Sequence, residues 1–214
     1  MFKVRVRVKI CGITRAHDAE VVARAGADAI GLVFWSRSRR AVEVAQARTI
    51  VAVLPPFVAR VALFVDPEAG EVQRVLDEVR PDLLQFHGNE PDEFCSRFGV
   101  PYIKAFRVGA SAPEPRTLAA WPSACGLLFD TEDTVHAGGS GRVFDWSLLP
   151  ASSARPLILA GGLHGGNVGE AIRRARPWAV DVSSGVEQAP GIKDARRVQD
   201  FMRAVAAENA MTQG

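Results

Sequence analysis

The chain has 214 residues, of which 48% are hydrophobic, and its 26 basic and 24 acidic residues leave a formal net charge of +2. This composition is typical of a globular domain with one well-buried core. The charges form no long run of one sign, which argues against a nucleic-acid footprint or a polybasic membrane anchor and is compatible with a small anionic ligand. No apolar stretch approaches the ~18 residues that a membrane span requires.

The N-terminal segment and the cysteines indicate a protein of the cytoplasm. The segment MFKVRVRVK at the N-terminus contains no apolar core of a signal peptide. Cys11, Cys95 and Cys125 are far apart and form neither a CxxC pair nor a zinc-ligand spacing, so we interpret them as reduced thiols. We therefore expect a soluble, cytoplasmic protein with a single domain over residues 1–214.

Short apolar segments recur along the chain and predict eight strands. Most of them are continuously apolar, as parallel strands covered on both faces are, whereas a half-exposed antiparallel strand would alternate. The predicted strands cover residues 6–11, 29–34, 58–65, 83–87, 102–106, 126–130, 156–162 and 179–185.

Segments with helical periodicity lie between these strands. The clearest follows the third strand, where Asp66 is predicted as the N-cap and Pro67 as a first-turn residue of a helix with apolar spacing over 72–79. The region after the fifth strand is poor in helix signal, so helix 5 is predicted to be weak or absent. Further helices are predicted near 14–25, 47–54, 91–98, 168–175 and 198–205.

Alternation of strand and helix about every 25 residues, eight times over, predicts a (β/α)8 TIM barrel. The alternative, an open doubly wound sheet, would require a GxGxxG turn after the first strand, and CGITRA at 11–16 does not supply one. In a (β/α)8 barrel the functional residues lie at the C-terminal ends of the strands. The residues at those ends are therefore the candidates for the functional site.

The last three strands are followed by glycine-rich sequences that suit an anion, at 136–141, 159–163 and 182–187. Glycine lets the backbone approach a ligand closely and direct several N–H groups at its oxygens. Tight turns alone would also explain these glycines. Because loops after the last strands of this fold commonly bind phosphate, three such loops together favour a phosphate site.

Cys11 is the last residue of the first predicted strand. A lone cysteine in an apolar strand is more often a buried hydrophobic residue than a catalyst. Its place at a barrel strand end, with Lys9 on the same strand face, favours a reactive role. If strand eight closes the barrel against strand one, Asp181 can face Lys9 and form a buried ion pair, which leaves a positive centre that favours the thiolate.

Asp130 ends the sixth strand, across the predicted mouth from Cys11. An aspartate after a strand often accepts backbone hydrogen bonds in a loop. With a thiol on the opposite wall, however, the two groups would form an acid and base pair that flanks a ligand. Gln85 and His87 also lie at a strand end, where a structural role suits His87 equally well. The other histidines show no metal-ligand spacing, so no metal is predicted.

Several of these segments together resemble the phosphoribosylanthranilate isomerase family of tryptophan biosynthesis. They are VKICGIT, GLVFWSRSRR, LFVDP, LLQFHGNE, IKAF, FD, GGSGRVFDW, LILAGGL and DVSSGVEQAPGIKD, which occur in order over nearly the whole chain. The combination of CGIT, GGSG with FDW, and SSGVE is more specific than any single motif. The chain departs from the family pattern at Arg39, where a proline is common, and in its basic start MFKVR.

The resemblance implies an Amadori rearrangement of N-(5-phosphoribosyl)anthranilate, a phosphorylated aminosugar, without a cofactor. It implies Asp130 as general acid with a raised pKa and Cys11 as general base with a lowered pKa. It places Arg40 at the anthranilate end of the substrate, and we interpret Arg37 and Arg39 as solvated neighbours. The phosphate is expected on backbone N–H groups of Gly139, Ser140, Gly141, Gly161, Gly162, Ser183, Ser184 and Gly185.

Two other interpretations share the fold. The first is another phosphate-binding barrel, such as an epimerase, a histidine-pathway aldose isomerase or indoleglycerol phosphate synthase. Metal-dependent epimerases require His and Asp ligands, and the histidine-pathway isomerases use two carboxylates instead of a thiol. The second is a non-catalytic phosphate-sugar sensor, which would need neither Cys11 nor Asp130. Apolar positions on the outer helices are compatible with a monomer or a homodimer.

Overall fold

The computed structural model describes residues 5–109, 111, 113–131, 145–149 and 154–213. Eight parallel strands form a closed barrel, in which each strand pairs with the next and the eighth pairs with the first. The strands are β1 (Arg7–Cys11), β2 (Ala29–Val33), β3 (Ala59–Phe64), β4 (Leu83–Phe86), β5 (Tyr102–Val108), β6 (Gly126–Thr131), β7 (Leu157–Leu159) and β8 (Ala179–Val182). The predicted TIM barrel is confirmed.

Helices surround the barrel. They are α1 (Ala16–Arg24), α2 (Val44–Val51), α3 (Ala69–Val79), α4 (Asp92–Ser96), α5 (Pro115–Ala119), α6 (Val168–Ala175) and α7 (Ala195–Gln213). Helix α5 has only five residues, in agreement with the weak helix signal after the fifth strand. Within the described ranges, no helix is both long enough and apolar enough to cross a membrane.

Short elements complete the described part of the chain. Two 3-10 helices cover Trp146–Leu148 and Ser184–Val186. The second of these leads into an antiparallel hairpin of β9 (Glu187–Ala189) and β10 (Ile192–Lys193). This hairpin lies between the end of β8 and helix α7, so it extends the chain beside the mouth of the barrel.

Helix α3 begins later than the sequence predicts, and the assignment of Asp66 as its N-cap is wrong. The N-cap is Glu68, which has an extended backbone. Asp66 instead has a left-handed backbone with φ 47°, and its carboxylate accepts a hydrogen bond from the Asn89 backbone N–H at 2.6 Å. The side chain of Asp66 therefore fixes the loop after β4, and Pro67 precedes the helix.

The alternation of side chains along each strand separates two apolar regions. Val8 and Ile10 of β1 belong to the large core between strands and helices, whereas Lys9 and Cys11 face the barrel interior. The interior also holds a cluster of mostly small or branched side chains, Ile103, Ala105, Leu128, Ile158, Ala160 and Ala179. Because the interior is filled at this level, a ligand can enter only above it, at the C-terminal ends of the strands.

Phe86 occupies the centre of an aromatic cluster in the outer core. Its side chain is fully buried, and its ring lies 5.8 Å from that of Tyr102 and 6.1 Å from that of Phe64, between ring centroids. Phe94 and Phe98 also pack against it. Such a residue contributes both apolar burial and close packing, so its removal leaves a cavity that rigid neighbours cannot fill.

We expect Phe86→Ala to lower the free energy of unfolding by about 3–5 kcal/mol, measured by equilibrium urea unfolding. Met211→Ala is the control, since Met211 is 71% exposed on helix α7, and its effect is expected to stay within about 0.5 kcal/mol. Similar losses in the two variants would contradict the central place of Phe86 in the core.

Candidate active site

One cavity at the C-terminal ends of the strands brings most of the predicted site residues together. The predicted residues that line it are Cys11, Arg40, Gln85, His87, Asp130, Gly161, Gly162, Ser183 and Ser184. Gly185 lies just behind it, where an added Cβ would be only 1.9 Å from the Leu163 carbonyl oxygen. The predicted phosphate residues Gly139, Ser140 and Gly141 lie outside the described residues.

Cys11 lines the cavity. Gly31 on β2 leaves space for its side chain, and an ion pair to β8 holds strand β1 in place. A Cβ on Gly31, its partner on β2, would lie 2.7 Å from the Cys11 Sγ. On the other side, Lys9 lies opposite Asp181 in the strand register. Lys9 Nζ donates a hydrogen bond to Asp181 Oδ2 at 2.8 Å, with both side chains buried, which confirms the predicted ion pair.

The predicted lowering of the Cys11 pKa is wrong. Burial is the largest influence and raises the pKa of the thiol, and although the Lys9 ammonium lowers it, the Asp181 carboxylate opposes that effect. The ion pair therefore leaves little positive charge next to the sulfur. At neutral pH the Cys11 side chain of the unliganded protein is mainly the protonated thiol.

Asp130 ends in the same cavity, with a raised pKa as predicted. Burial is the main cause, and the nearby Asp181 carboxylate adds to it, so the pKa of the Asp130 carboxyl rises to about 6. His87 Nε2 lies 3.5 Å from Asp130 Oδ2. Burial lowers the pKa of His87 to about 3, with the positive charge of Arg107 as the next cause. The imidazole is therefore neutral at pH 7, and its contact with Asp130 is not an ion pair.

The far wall of the cavity consists of the loops after β7 and β8. Gly161 and Gly162 both have left-handed backbones, with φ 87° and 62°, and an added Cβ on Gly161 would lie 2.2 Å from Thr131 Oγ1. The hydroxyls of Thr131 and Ser183 are buried and have no hydrogen-bond partner among the described residues. Buried polar groups are normally paired, so these hydroxyls suit a polar ligand in the cavity.

Arg40 lies at the mouth beside the loop after β8, since a Cβ on Gly12 would touch both Arg40 Cδ and Ser183 Oγ, and it is held in place. Its Nε and Nη2 atoms donate to the two Glu187 carboxylate oxygens at 2.8 and 2.7 Å. Its aliphatic stem lies over Gly12, where a Cβ would be 2.4 Å from Arg40 Cδ. By contrast, Arg37 and Arg39 are exposed and do not line the cavity.

Sequence reasoning missed several residues at the mouth. Arg107 lines the cavity from a strand that continues to Val108, whereas the predicted strand ends at 106. Trp35 lines the apolar side of the cavity and packs against the cluster of Cys11, Val33 and Leu63. Glu187 and Lys193 lie in the β9–β10 hairpin, which no periodicity in the sequence indicated.

The comparisons with known proteins agree with this geometry. The family model described as "N-(5'phosphoribosyl)anthranilate (PRA) isomerase" matches residues 8–204. The N-(5'-phosphoribosyl)anthranilate isomerase of Nitrosospira multiformis is 50% identical over 206 residues, which cover 96% of this chain and 99% of that protein. That of Pseudomonas fluorescens is 54% identical over 204 residues, which cover 95% of this chain and 97% of that protein.

Solved structures show the same likeness. The phosphoribosyl anthranilate isomerase of Thermotoga maritima superposes with a TM-score of 0.88 at 41% identity, over 94% of this chain and 99% of that chain. A phosphoribosyl anthranilate isomerase in complex with reduced 1-(o-carboxyphenylamino)-1-deoxyribulose 5-phosphate superposes with a TM-score of 0.80 at 39% identity, over 94% of this chain and 99% of that chain. On the family match and these relatives, the chain belongs to the N-(5'-phosphoribosyl)anthranilate isomerase family.

Proposed function

We propose that Asp130 and Cys11 are the general acid and the general base of the isomerisation for which the family is named. The enzyme converts N-(5'-phosphoribosyl)anthranilate into 1-(2-carboxyphenylamino)-1-deoxyribulose 5-phosphate in tryptophan biosynthesis. The observation that carries the proposal is the presence of both side chains on the wall of one cavity. Asp181 also lines the cavity, but its carboxylate is held in the ion pair with Lys9, which favours the thiol as the base, and a sensor would have no use for an acid and base pair.

Asp130 would act first, by protonating the ring oxygen of the furanose. The bond between that oxygen and C1' breaks, and the lone pair of the anthranilate nitrogen forms the C=N bond of a protonated Schiff base. A carboxyl group with a pKa of about 6 retains a proton more readily than an ordinary aspartate. The neutral His87, at 3.5 Å, adds no positive charge that would lower the pKa of the Asp130 carboxyl group.

Cys11 would then remove the proton from C2'. The electrons of that C–H bond form a C1'=C2' double bond, and the C=N electrons return to the nitrogen. The resulting enolamine takes a proton at C1' and loses one from the C2' hydroxyl, which gives the ketone. All atoms of the substrate are retained, so the two side chains need only move protons.

The phosphate end and the anthranilate end of the substrate are assigned to different sets of residues in the cavity. The phosphate is assigned to the loops of Gly161, Gly162, Ser183 and Ser184, where the backbone comes close to the cavity. The anthranilate ring is assigned to the apolar side near Trp35, and its carboxylate to Arg40. Gln85 suits a sugar hydroxyl, because its buried Oε1 has no hydrogen-bond partner among the described residues.

Because of these pKa shifts, only a minority of the protein molecules are in the ionic form that catalysis needs. Catalysis needs protonated Asp130 and deprotonated Cys11, but the pKa of Asp130 is about 6 and that of Cys11 is raised above its ordinary value. Between the two pKa values the dominant form therefore has ionised Asp130 and neutral Cys11. The productive form carries the same number of protons, so transfer of one proton within the site interconverts the two forms.

The compartment and the assembly are further proposals. We assign the enzyme to the cytoplasm, because its three cysteines are unpaired and a reducing compartment keeps thiols in that state. We propose a monomer or a homodimer. The T. maritima relative is described as a dimeric protein from which monomers were generated.

We expect Cys11→Ala and Asp130→Asn each to lower kcat by on the order of 10² to 10⁴, the usual contribution of a positioned proton-transfer group. The measurement is the decay of phosphoribosylanthranilate fluorescence, with substrate generated in situ and chelator in the buffer. Cys125→Ser is the control for thiol loss, since Cys125 is exposed outside the cavity. Near-normal turnover in either variant would refute the role of that residue.

The two residues of the Lys9–Asp181 pair should shift the pKa of the Cys11 thiol in opposite directions. Because Asp181 raises the Cys11 pKa and Lys9 lowers it, we expect Asp181→Asn to accelerate iodoacetamide labelling of Cys11 at pH 8 and Lys9→Met to slow it. Peptide mass spectrometry separates Cys11 from the other two cysteines, and circular dichroism confirms folding. Rate changes of the same sign in the two variants would contradict this electrostatic account.

A further inference from the structure

A buried ionic network links the mouth of the barrel to the β9–β10 hairpin. At its centre, the carboxylate of Glu187 accepts hydrogen bonds from Arg40 Nε and Nη2 at 2.8 and 2.7 Å, from Lys193 Nζ at 2.8 Å and from the Gly191 backbone N–H at 3.2 Å. The side chains of Glu187 and Lys193 are 4% and 0% exposed. Oε1 accepts three of these hydrogen bonds and Oε2 accepts the one from Arg40 Nη2, so both carboxylate oxygens are held in place.

Lys193 connects this network to the end of strand β1, where Cys11 lies. Its Nζ donates to the Cys11 carbonyl oxygen at 2.6 Å and to the Ser183 carbonyl oxygen at 3.2 Å. The three hydrogen bonds that an ammonium can donate are therefore all used. One cation joins the backbone of the proposed base, the backbone of a proposed phosphate loop and the carboxylate that holds Arg40.

The charges in this network do not balance. Arg40 and Lys193 are both cations, and Glu187 is the carboxylate that both contact. Buried charges are costly unless they are paired, so one uncompensated positive charge beside the cavity favours an anionic ligand. The carboxylate of the anthranilate ring would supply the missing negative charge.

The geometry also shows which part of Arg40 is available to such a ligand. A guanidinium offers a side edge, made of Nε and one terminal nitrogen, and an end edge, made of both terminal nitrogens. Glu187 occupies the side edge through Nε and Nη2. Among the described residues no group accepts a hydrogen bond from Nη1, so the end edge is left for a second carboxylate.

We propose that Glu187 is a positioning residue that presents the end edge of Arg40 to the substrate carboxylate and, through Lys193, fixes that contact relative to the backbone of Cys11. This inference rests on the proposed function, because it assigns the anthranilate end to Arg40. Substrate binding completes the charge balance of the network. The hairpin after β8 is therefore part of the substrate site, although Glu187 and Lys193 do not themselves act on the reacting atoms.

A double-mutant cycle on the phosphoribosylanthranilate reaction tests this role. The four proteins are wild type, Glu187→Gln, Arg40→Met and the double variant, each measured for kcat and KM. We expect Glu187→Gln to raise KM by about 10-fold, a typical size for coupled charged neighbours. In the Arg40→Met background the same change should alter KM by less than about 2-fold, because the group that Glu187 positions is gone.

Two further variants separate positioning from stability. Asp82→Asn is the matched control, since Asp82 holds Arg60 through the same two guanidinium nitrogens at 2.8 and 2.7 Å at the other end of the barrel, and its KM should equal that of wild type. Glu187→Asp keeps the negative charge toward Lys193 but is too short to hold both Arg40 nitrogens. It should fold even if Glu187→Gln does not, and it should raise KM in the presence of Arg40 only.

The outcomes distinguish this inference from the proposed function. Wild-type protein that is folded but does not turn over the substrate would overturn both. An active wild type in which the Glu187 variants raise KM equally with and without Arg40, or leave KM unchanged, would overturn the positioning role alone. A KM effect that disappears without Arg40 supports the role, because a loss of stability by itself would persist in both backgrounds.

Discussion

Closure of the barrel between β8 and β1 is the constraint on which the site depends. The register of these two strands places Lys9 directly opposite Asp181, and their side chains form a buried ion pair of 2.8 Å in the interior. Replacing one of the two residues by a neutral one would leave an unpaired buried charge, which is far more costly than replacing both by apolar residues. The pair therefore favours one register, and that register brings Cys11 to the mouth at the same level as the loop after β8.

Burial shifts the pKa values of Asp130 and Cys11, the proposed acid and base, in the same direction, but the consequences for catalysis are opposite. It stabilises the neutral form of each, so it raises the pKa of Asp130 to about 6 and also raises that of Cys11. The acid gains from this effect because it must hold a proton, whereas the base must lose one. The Lys9–Asp181 pair next to Cys11 carries almost no net charge, and Lys193 lowers the Cys11 pKa by less than burial raises it.

Two glycines at the mouth of the barrel lie directly against side chains of the candidate site. Missing side chains at Gly31 and Gly12 leave space for Cys11 and for the stem of Arg40, respectively. These contacts fix functional side chains against the backbone of neighbouring elements, which restricts their rotamers. The β9–β10 hairpin lies behind the lining of the cavity, where Glu187 holds Arg40 and Lys193 binds the Cys11 carbonyl oxygen.

The sequence by itself determined the number, order and parallel pairing of the barrel strands, the weak fifth helix and the strand ends that carry Cys11 and Asp130. These features follow from local periodicity and from which residues end each apolar run. Only the tertiary structure decided the direction of the Cys11 pKa, the use of Asp66 in a neighbouring loop and the link from Arg40 to Glu187. That link joins residues 147 positions apart, and burial and charge balance depend on such distant contacts, which no local pattern encodes.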